Sequence, residues 1–252
     1  QNTRFGMQAQ GATNTGVLAS MLKSAGMIRR TKAEALPDLP PKFRQVIEIP
    51  HEATSIINEE VKKYETFLSA RRRLKRLEFM ARKSDTDGAY HLEIERLKAA
   101  VMVSFSELSK ARHDTAVYKL PTVITHLENA LESGKVVVFA HHRDVMHAIY
   151  EAFSKKAVML IGGMNEHDKS LAVSRFQSEP GVRLFVGSIT AAGVGITLHA
   201  SCHVVFAELD WTPARITQAE DRTHRIGQKS NILIQHLVLE SSLDAHMAKK
   251  VV

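Results

Sequence analysis

Two arginines near the end of the chain, Arg222 and Arg225, lie in the segment Gln218–Gln228, with Gln218 four residues before the first. Spacings of four and three residues place side chains on one face of an α-helix. A Thr-Pro pair before the segment and a glycine near its end are typical start and stop signals, so we predict a helix over 213–225. Two guanidinium groups on one face indicate a site for a phosphoryl group that is being transferred, because each is always charged and can donate two hydrogen bonds to phosphate oxygens. The simpler alternative is a basic surface helix whose arginines form salt bridges to Glu220 and Asp221.

A glycine-containing segment, Ser188–Leu198, follows a predicted strand. Gly193 and Gly195 let the backbone approach a phosphate closely and expose its N–H donors, and Thr190 adds a hydroxyl. A dinucleotide-binding fingerprint would require a third glycine where Leu198 stands, so we disfavour that function. A turn that only packs a helix on a strand remains the alternative.

Several features of other active sites are missing from the sequence. No GxxxxGK[ST] phosphate loop occurs, and no Asp-Glu dipeptide provides an acidic box for a metal ion. Neighbouring histidines such as His141 and His142 lack the spacing and partners of a metal site, so we predict no metal site. The sequence therefore contains arginines that could bind a phosphate but no phosphate loop, which predicts that it forms only half of an active site.

The composition points to an anionic partner. The 252 residues carry a formal net charge of +7, and 44% of them are hydrophobic, enough for a sizeable core. Residues 69–83 hold seven Lys or Arg against one Glu, including Arg71, Arg72 and Arg73. Such a run binds nucleic acid or forms a solvated helix face.

The cysteine content and the hydropathy bear on the environment of the protein. The single cysteine, Cys202, fits a reducing compartment. The uncharged stretch 184–207 is better explained by two buried strands around a glycine loop than by a membrane span.

The hydrophobic pattern changes twice along the chain. Helical spacing over 51–113 predicts a hairpin or brace of helices, with a turn at 84–88. From 119 onward short apolar strands alternate with helices, which predicts a parallel sheet covered by helices on both faces. In such sheets ligands bind at the carboxyl ends of the strands, so the loops after 140, 187 and 207 are the candidate site. We expect helices at about 14–28, 120–132, 143–154, 165–177, 213–225 and 241–251. We expect strands at about 43–49, 136–140, 157–161, 183–187, 203–207 and 231–238.

These segments together resemble the Swi/Snf-type ATPases of helicase superfamily two, particularly the annealing-helicase and remodeller-like branch. Four segments occur in that family's order and spacing: Val137–His142, Ser188–Leu198, Phe206–Pro213 and Gln218–Gln228. Met27–Lys42 is similar to the family's segment that leaves the first motor lobe. The fold implied is a RecA-like parallel sheet with helices on both faces, plus an inserted helical hairpin.

The resemblance implies a division of the chain into four parts. Residues 1–42 are expected to be a remnant of the first motor lobe with its linker, and 43–50 a strand that joins the second lobe. Residues 51–114 are a helical insertion, and 115–252 form the RecA-like second lobe. The chain begins without Met, and we expect it to be part of a longer protein.

The resemblance also implies roles for individual residues. Arg222 and Arg225 match the arginine fingers that reach ATP when two lobes close. Gln218, Gly193 and Gly195 match nucleotide-binding positions. The residues expected to contact DNA are Ser188, Thr190, Arg71, Arg72 and Arg73. Trp211 is expected to be a packing residue or a lobe-interface residue.

The function implied is the second lobe of an ATP-dependent translocase on double-stranded DNA. ATP and Mg²⁺ would be bound mainly by the first lobe, so the chain alone is expected to be inactive as an ATPase. The expected partners are double-stranded DNA, ATP and the first motor lobe, with no membrane and an intracellular location: cytoplasm or nucleoid in a bacterium, nucleus in a eukaryote. The alternative is a non-catalytic DNA-binding or scaffold module that has lost its motor lobe. An RNA helicase lobe is disfavoured by the form of Asp221–Gln228.

Overall fold

The computed structural model describes residues 2–3, 6–7, 14–28, 30, 32–83, 90–190 and 195–249. The chain divides into two compact units, 1–39 and 40–252. The first unit contains β1 (Asn2–Thr3), β2 (Gly6–Met7), α1 (Thr15–Ser24) and α2 (Lys32–Ala35). The helix predicted at 14–28 is therefore present but shorter. The predicted turn at 84–88 lies outside the described residues.

The second unit is built on one six-stranded sheet. Its elements in chain order are β3 (Lys42–Ile49), α3 (Thr54–Lys83), α4 (His91–Ser133), β4 (Val136–Ala140), α5 (Arg143–Ala152), β5 (Ala157–Leu160), α6 (Glu166–Ser178), β6 (Leu184–Ser188), β7 (His203–Phe206), α7 (Pro213–Glu220), β8 (Ile232–Leu239) and α8 (Leu243–Ala248). The strand order is β3-β8-β7-β4-β6-β5, and every neighbouring pair is parallel. The predicted parallel α/β fold is confirmed.

Both faces of the sheet are buried. Alternate residues of a strand point to opposite faces, and in β4 both sets are apolar: Val136 and Val138 join one core, whereas Val137 and Phe139 join the other. The first core is closed by α4 and α5, and the second by α6, α7 and α8. This two-sided burial explains why the strands are uninterrupted apolar runs.

The helical hairpin differs from the prediction in its second arm. The sequence pattern predicted a separate helix at 120–132, but α4 runs without a break from residue 91 to 133, with Pro121 inside it. An interior proline costs about 3 kcal/mol or more. Burial of Leu108 before it and of Leu127 after it holds both halves of α4 in place. The predicted boundary between 114 and 115 consequently falls within a continuous helix.

A cluster of buried charges joins the hairpin to the last strand and helix. Arg112 of α4 donates to Asp244 Oδ1 of α8 at 2.8 Å, and Lys119 Nζ lies 2.8 Å from the Leu237 carbonyl oxygen and 3.4 Å from Asp244 Oδ2. Glu60 of α3 accepts a hydrogen bond from the Leu243 backbone N–H at 2.9 Å. Burial, which outweighs that hydrogen bond, raises the pKa of Glu60 to about 7.

Replacement of the buried acid by Glu60→Gln should change how stability depends on pH. The folded-state pKa of Glu60 is raised, so its protonation stabilises the fold at low pH, and that contribution is lost as pH rises through about 7. Relative to Glu60→Gln, the wild-type free energy of unfolding should fall by about 2 kcal/mol between pH 5.5 and 8. Urea unfolding of both proteins at each pH measures this difference, and parallel pH profiles would contradict the assignment.

Candidate functional site

Three neighbouring strands, β4, β6 and β7, end together at one edge of the sheet. Ala140 pairs with Ser188, and Phe139 pairs with Phe206, so the segments that follow all three strands emerge side by side. The backbone N–H of Ile189 donates to the Ala140 carbonyl at 3.1 Å, which ties two of these segments together. The predicted site loops therefore do meet at the carboxyl edge.

The two candidate arginines do not lie on a helix. α7 ends at Glu220, and residues 221–227 form successive turns, so the prediction of a helix through residue 225 is wrong. The N–H of Thr223 bonds to the carbonyl of Glu220 three residues back, and the Thr223 hydroxyl donates to the same carbonyl at 2.8 Å. The Arg222 N–H likewise bonds to the Ala219 carbonyl three residues back, so the regular helical pattern changes at these two residues. Helical spacing therefore does not set the direction of Arg222 and Arg225.

The end of α7 is fixed from the opposite side by the edge strand β3. Glu220 is fully buried, and Arg44 donates to both of its carboxylate oxygens at 2.9 and 2.7 Å. Lys42 contacts both Glu220 and Asp221 at 3.1 Å. Both acidic residues thus pair with β3. A bidentate guanidinium–carboxylate contact holds the position at which the turn begins.

Arg222 is more enclosed than the sequence suggests. Only 7% of the Arg222 surface is exposed, although the sequence pattern also allowed a position on a basic surface helix. Burial, with a smaller contribution from the nearby charge of Arg225, lowers the pKa of Arg222. The guanidinium still carries its charge, because arginine does not lose its proton in proteins. Two like charges therefore lie close together in a partly desolvated place.

Arg225 lies against the glycine segment. Its Nη1 donates to the Gly195 carbonyl oxygen at 3.3 Å and to Thr197 Oγ1 at 3.2 Å. The backbone N–H of Leu198 donates to the Arg222 carbonyl at 2.8 Å, which adds a main-chain link between the two segments. Gly195 has φ of +40°, in the left-handed region that favours glycine. The structure thus brings together Arg222, Arg225 and Gly195, whereas Gly193 lies outside the described residues.

The two glutamines of the arginine segment have different environments. Gln218 is exposed on α7. Gln228 is buried; its Nε2 donates to the Ser201 carbonyl at 2.8 Å, and its Oε1 accepts from the N–H groups of Lys229 and Ser230 at 3.0 Å. Sequence analysis gave Gln228 no role, and its position at the end of the motif was the available signal. It holds the arginine turn to the chain after the glycine segment.

A second residue that sequence analysis did not assign is Glu208, which follows β7. It is 3% exposed and accepts from the N–H groups of His141 and His142 at 2.8 and 2.9 Å, and from His142 Nδ1 at 2.5 Å. Burial alone would raise the pKa of Glu208, but the hydrogen bond and charge of His142 lower it below its usual value. This carboxylate fixes the loop after β4 to the loop after β7.

The predicted DNA-contacting residues lie on two elements. Thr190 is exposed beyond the end of β6, and its hydroxyl lies 2.9 Å from that of Ser188, which is buried. Arg71, Arg72 and Arg73 are exposed on α3. Within the described parts of the chain, no group of three or more His, Cys, Asp and Glu residues is arranged to hold a metal ion. Among the helices described, none has the length and apolar character needed to cross a membrane.

The sequence of this chain is similar to a known domain family and to longer proteins that contain it. Residues 118–227 match the family described as helicase conserved C-terminal domain. The chain is 33% identical over 249 residues to a Caenorhabditis elegans SWI/SNF-related matrix-associated actin-dependent regulator of chromatin subfamily A-like protein 1 homolog, covering 96% of this chain and 32% of that protein. It is 34% identical over 254 residues to human DNA annealing helicase and endonuclease ZRANB3, covering 96% of this chain and 21% of that protein. The chain therefore spans about a third or less of these relatives.

Solved structures share the fold at lower sequence identity. The C-terminal part of the Fun30 ATPase domain superposes with a TM-score of 0.53 at 16% identity, over 84% of this chain and 89% of that one. A Sulfolobus solfataricus SWI2/SNF2 ATPase core in complex with dsDNA gives 0.54 at 22% identity, over 95% of this chain and 50% of that one. The RecA-like architecture expected from the sequence is confirmed.

The difference between the two glutamines can be measured by matched substitutions. Gln228→Ala should lower the free energy of unfolding by about 1–3 kcal/mol, because it leaves the buried Ser201 carbonyl and two backbone N–H groups without their partner. Gln218→Ala, at an exposed position of the same motif, should change it by no more than about 0.5 kcal/mol. Urea unfolding of both variants distinguishes them, and equal effects would show that Gln228 does not hold the turn.

Proposed function

Because this chain belongs to the Swi/Snf-type family of helicase-like proteins, as its helicase conserved C-terminal domain, we propose that it is the second lobe of an ATP-dependent translocase on double-stranded DNA. ATP use follows from the family at the level of the whole protein. In this proposal Arg222 and Arg225 supply positive charge to the ATP phosphates, and the complementary first lobe supplies the phosphate loop and most of the Mg²⁺ binding.

The observation that carries the proposal is the contact between Arg225 and the glycine segment. Thirty residues separate Arg225 from Gly195, yet the guanidinium lies on its carbonyl at 3.3 Å. The partners of Arg225 are neutral oxygens at 3.2–3.3 Å, which are long for guanidinium hydrogen bonds. A phosphate oxygen forms shorter, charge-assisted bonds, so an incoming nucleotide would displace these contacts.

The electrostatics of Arg222 favour the same role. Burial and, to a smaller extent, the charge of Arg225 lower the pKa of Arg222, whereas the charge of Asp221 acts in the opposite direction, and a phosphate would add to the effect of Asp221. Negative charge increases on the phosphoryl oxygens in the transition state. The two arginines would therefore bind the transition state more strongly than the bound ATP, and such differential binding accelerates the reaction. Because the arginines belong to one lobe and the phosphate loop to another, hydrolysis would be coupled to lobe closure.

The remaining site residues receive supporting roles in the proposal. Gly195, together with Gly193, would let the backbone approach both nucleotide and DNA, and the exposed Gln218 would contact nucleotide when the lobes meet. Thr190, with Ser188 behind it, would contact a DNA phosphate at the carboxyl edge. The exposed Arg71, Arg72 and Arg73 would hold the DNA backbone along α3 without reading its sequence. We further propose an intracellular location, where ATP and DNA are both present.

Loss of either arginine should abolish most DNA-stimulated ATP hydrolysis in the longer protein that this proposal requires. Arg225→Ala is expected to lower kcat by about 10³-fold or more, because arginine fingers contribute roughly 10³–10⁵ in rate. Arg222→Lys keeps the charge but loses the guanidinium fork, and should also be strongly impaired. Steady-state kinetics with duplex DNA measures both.

The control is Arg175→Ala, which removes an exposed arginine of α6 and should leave turnover near the wild-type rate. Arg222 is buried, so thermal melts of each variant are needed beside the kinetics. Near-normal turnover in both site variants, or activity lost only through unfolding, would show that these arginines are structural. Retained DNA binding with no ATP dependence of any kind would favour the scaffold alternative.

The 252-residue chain itself should bind duplex DNA weakly and with strong dependence on salt. A Kd of about 10⁻⁴–10⁻⁶ M is expected at physiological salt, as for other non-specific binding to phosphates. Replacement of Arg71, Arg72 and Arg73 together by Gln should weaken binding and reduce the salt slope by about one for each phosphate that is no longer neutralised. Fluorescence anisotropy of a labelled duplex measures both, with Arg175→Gln as the control. Tight binding that is insensitive to salt or selective for sequence would contradict the proposal.

A further inference from the structure

The loop between β7 and α7 is held by both helices of the hairpin. The Trp211 indole stacks on the Tyr64 ring of α3, with the centroids 5.9 Å apart and an interplanar angle of 19°. The Arg112 guanidinium carbon of α4 lies 4.5 Å from the centroid of the Trp211 ring. Aromatic stacking and cation–π contact are both attractions that depend on the orientation of the ring. We refer to Tyr64, Arg112 and Trp211 as the tryptophan clamp.

Arg112 connects the clamp to the backbone of the loop. Its Nη2 donates to the Leu209 carbonyl at 2.6 Å and to Asp244 Oδ1 at 2.8 Å. Arg112 is 7% exposed, so both contacts are shielded from water. The planar guanidinium thus fixes the loop by a main-chain hydrogen bond and by contact with an aromatic ring, a combination that lysine does not reproduce.

The loop in turn sets the start of α7. Asp210 Oδ1 accepts from the Thr212 backbone N–H at 2.8 Å, and Asp210 Oδ2 pairs with Arg215 Nη1 at 3.2 Å. α7 has eight residues and ends at Glu220, immediately before the turn that carries Arg222 and Arg225. A helix of that length spans roughly 12 Å. Trp211 of the clamp and the arginine turn therefore flank the two ends of α7.

The clamp also lies close to the basic residues of α3, which we call the basic run (residues 71–76). Arg71 lies seven residues after Tyr64 on the same helix, roughly 10 Å along its axis. Exposed Arg71, Arg72, Arg73, Lys75 and Arg76 are therefore two to three turns from the clamp. DNA bound to these side chains would therefore act on the same helix that carries Tyr64.

We propose that Tyr64 and Arg112 are positioning residues that transmit DNA binding on α3 through Trp211 to the orientation of the arginine turn. The inference rests on the proposed function, because it assumes that the basic run holds DNA and that the arginines act on ATP. In this proposal the helical insertion couples DNA binding to the rate of ATP hydrolysis and leaves the affinity for nucleotide unchanged.

Trp211 is the single tryptophan of the chain, so its fluorescence reports on the clamp directly. In the 252-residue chain, a mixed-sequence duplex should change the Trp211 emission along the same isotherm as the anisotropy of the labelled duplex. Tyr64→Phe keeps the ring and should retain the change. Tyr64→Leu should bind the duplex with the same Kd but without the emission change, and the triple Gln variant at positions 71–73 should show no change even at matched DNA occupancy.

Kinetics in the longer protein provide the second readout. Tyr64→Leu should lower the DNA-stimulated kcat by about 10- to 100-fold, the cost of a misplaced catalytic group, with the KM for ATP and the DNA-free rate unchanged. Tyr64→Phe should behave as wild type. A duplex that binds without changing Trp211 emission, or full DNA stimulation in Tyr64→Leu, would overturn the clamp and leave the proposed function intact.

Absence of duplex binding by anisotropy would remove the DNA function itself and the inference with it. Should Tyr64→Leu melt well below the wild-type temperature, Arg112→Lys serves as the second variant. It retains the charge beside Asp244 but not the fork, so an absent emission change and a lowered kcat are again expected. Unchanged stimulation in a folded Arg112→Lys would likewise overturn the proposal.

Discussion

Two positive charges, Arg222 and Arg225, are held near each other against a glycine segment, and much of the surrounding structure serves to keep them there. Burial, with a smaller contribution from the charge of Arg225, lowers the pKa of Arg222. The constraints come from outside the turn. Arg44 binds Glu220 at one end, and Gln228 binds the chain after the glycine segment at the other. In the proposed function, this arrangement places positive charge for the nucleotide phosphates before the nucleotide binds.

The sheet determines where this charge is delivered. Parallel strands buried on both faces end at a common edge, so segments far apart in sequence meet there without needing their own hydrophobic core. Glu208 then joins the loop after β4 to the loop after β7, and the Leu198–Arg222 hydrogen bond joins the glycine segment to the arginine turn. The hairpin of α3 and α4 adds a connection that the sheet alone does not provide, since it contacts Trp211 from two helices.

Sequence reasoning succeeded where the determining interactions are local. The strands β4, β6 and β7 were predicted because a strand buried on both faces is a continuous apolar run. It failed where distant contacts or a local change in hydrogen bonding decide. At Arg222 and Thr223 the backbone N–H groups bond to carbonyls three residues back, where spacing had extended the helix to residue 225, and packing of both halves keeps α4 continuous through Pro121. Gln228 and Glu208 were missed because their partners lie 27 and 67 residues away in sequence.

The central claim is that the chain holds one half of an ATPase site, with its arginines acting on a nucleotide bound elsewhere. The most direct measurement is phosphate release by the purified 252-residue chain, wild type and Arg225→Ala, with saturating ATP and Mg²⁺ in the presence and absence of duplex DNA. The account predicts no turnover above the buffer rate in any of these reactions. Robust turnover by the wild-type chain that disappears in Arg225→Ala would contradict it, since the site would then be complete within this chain.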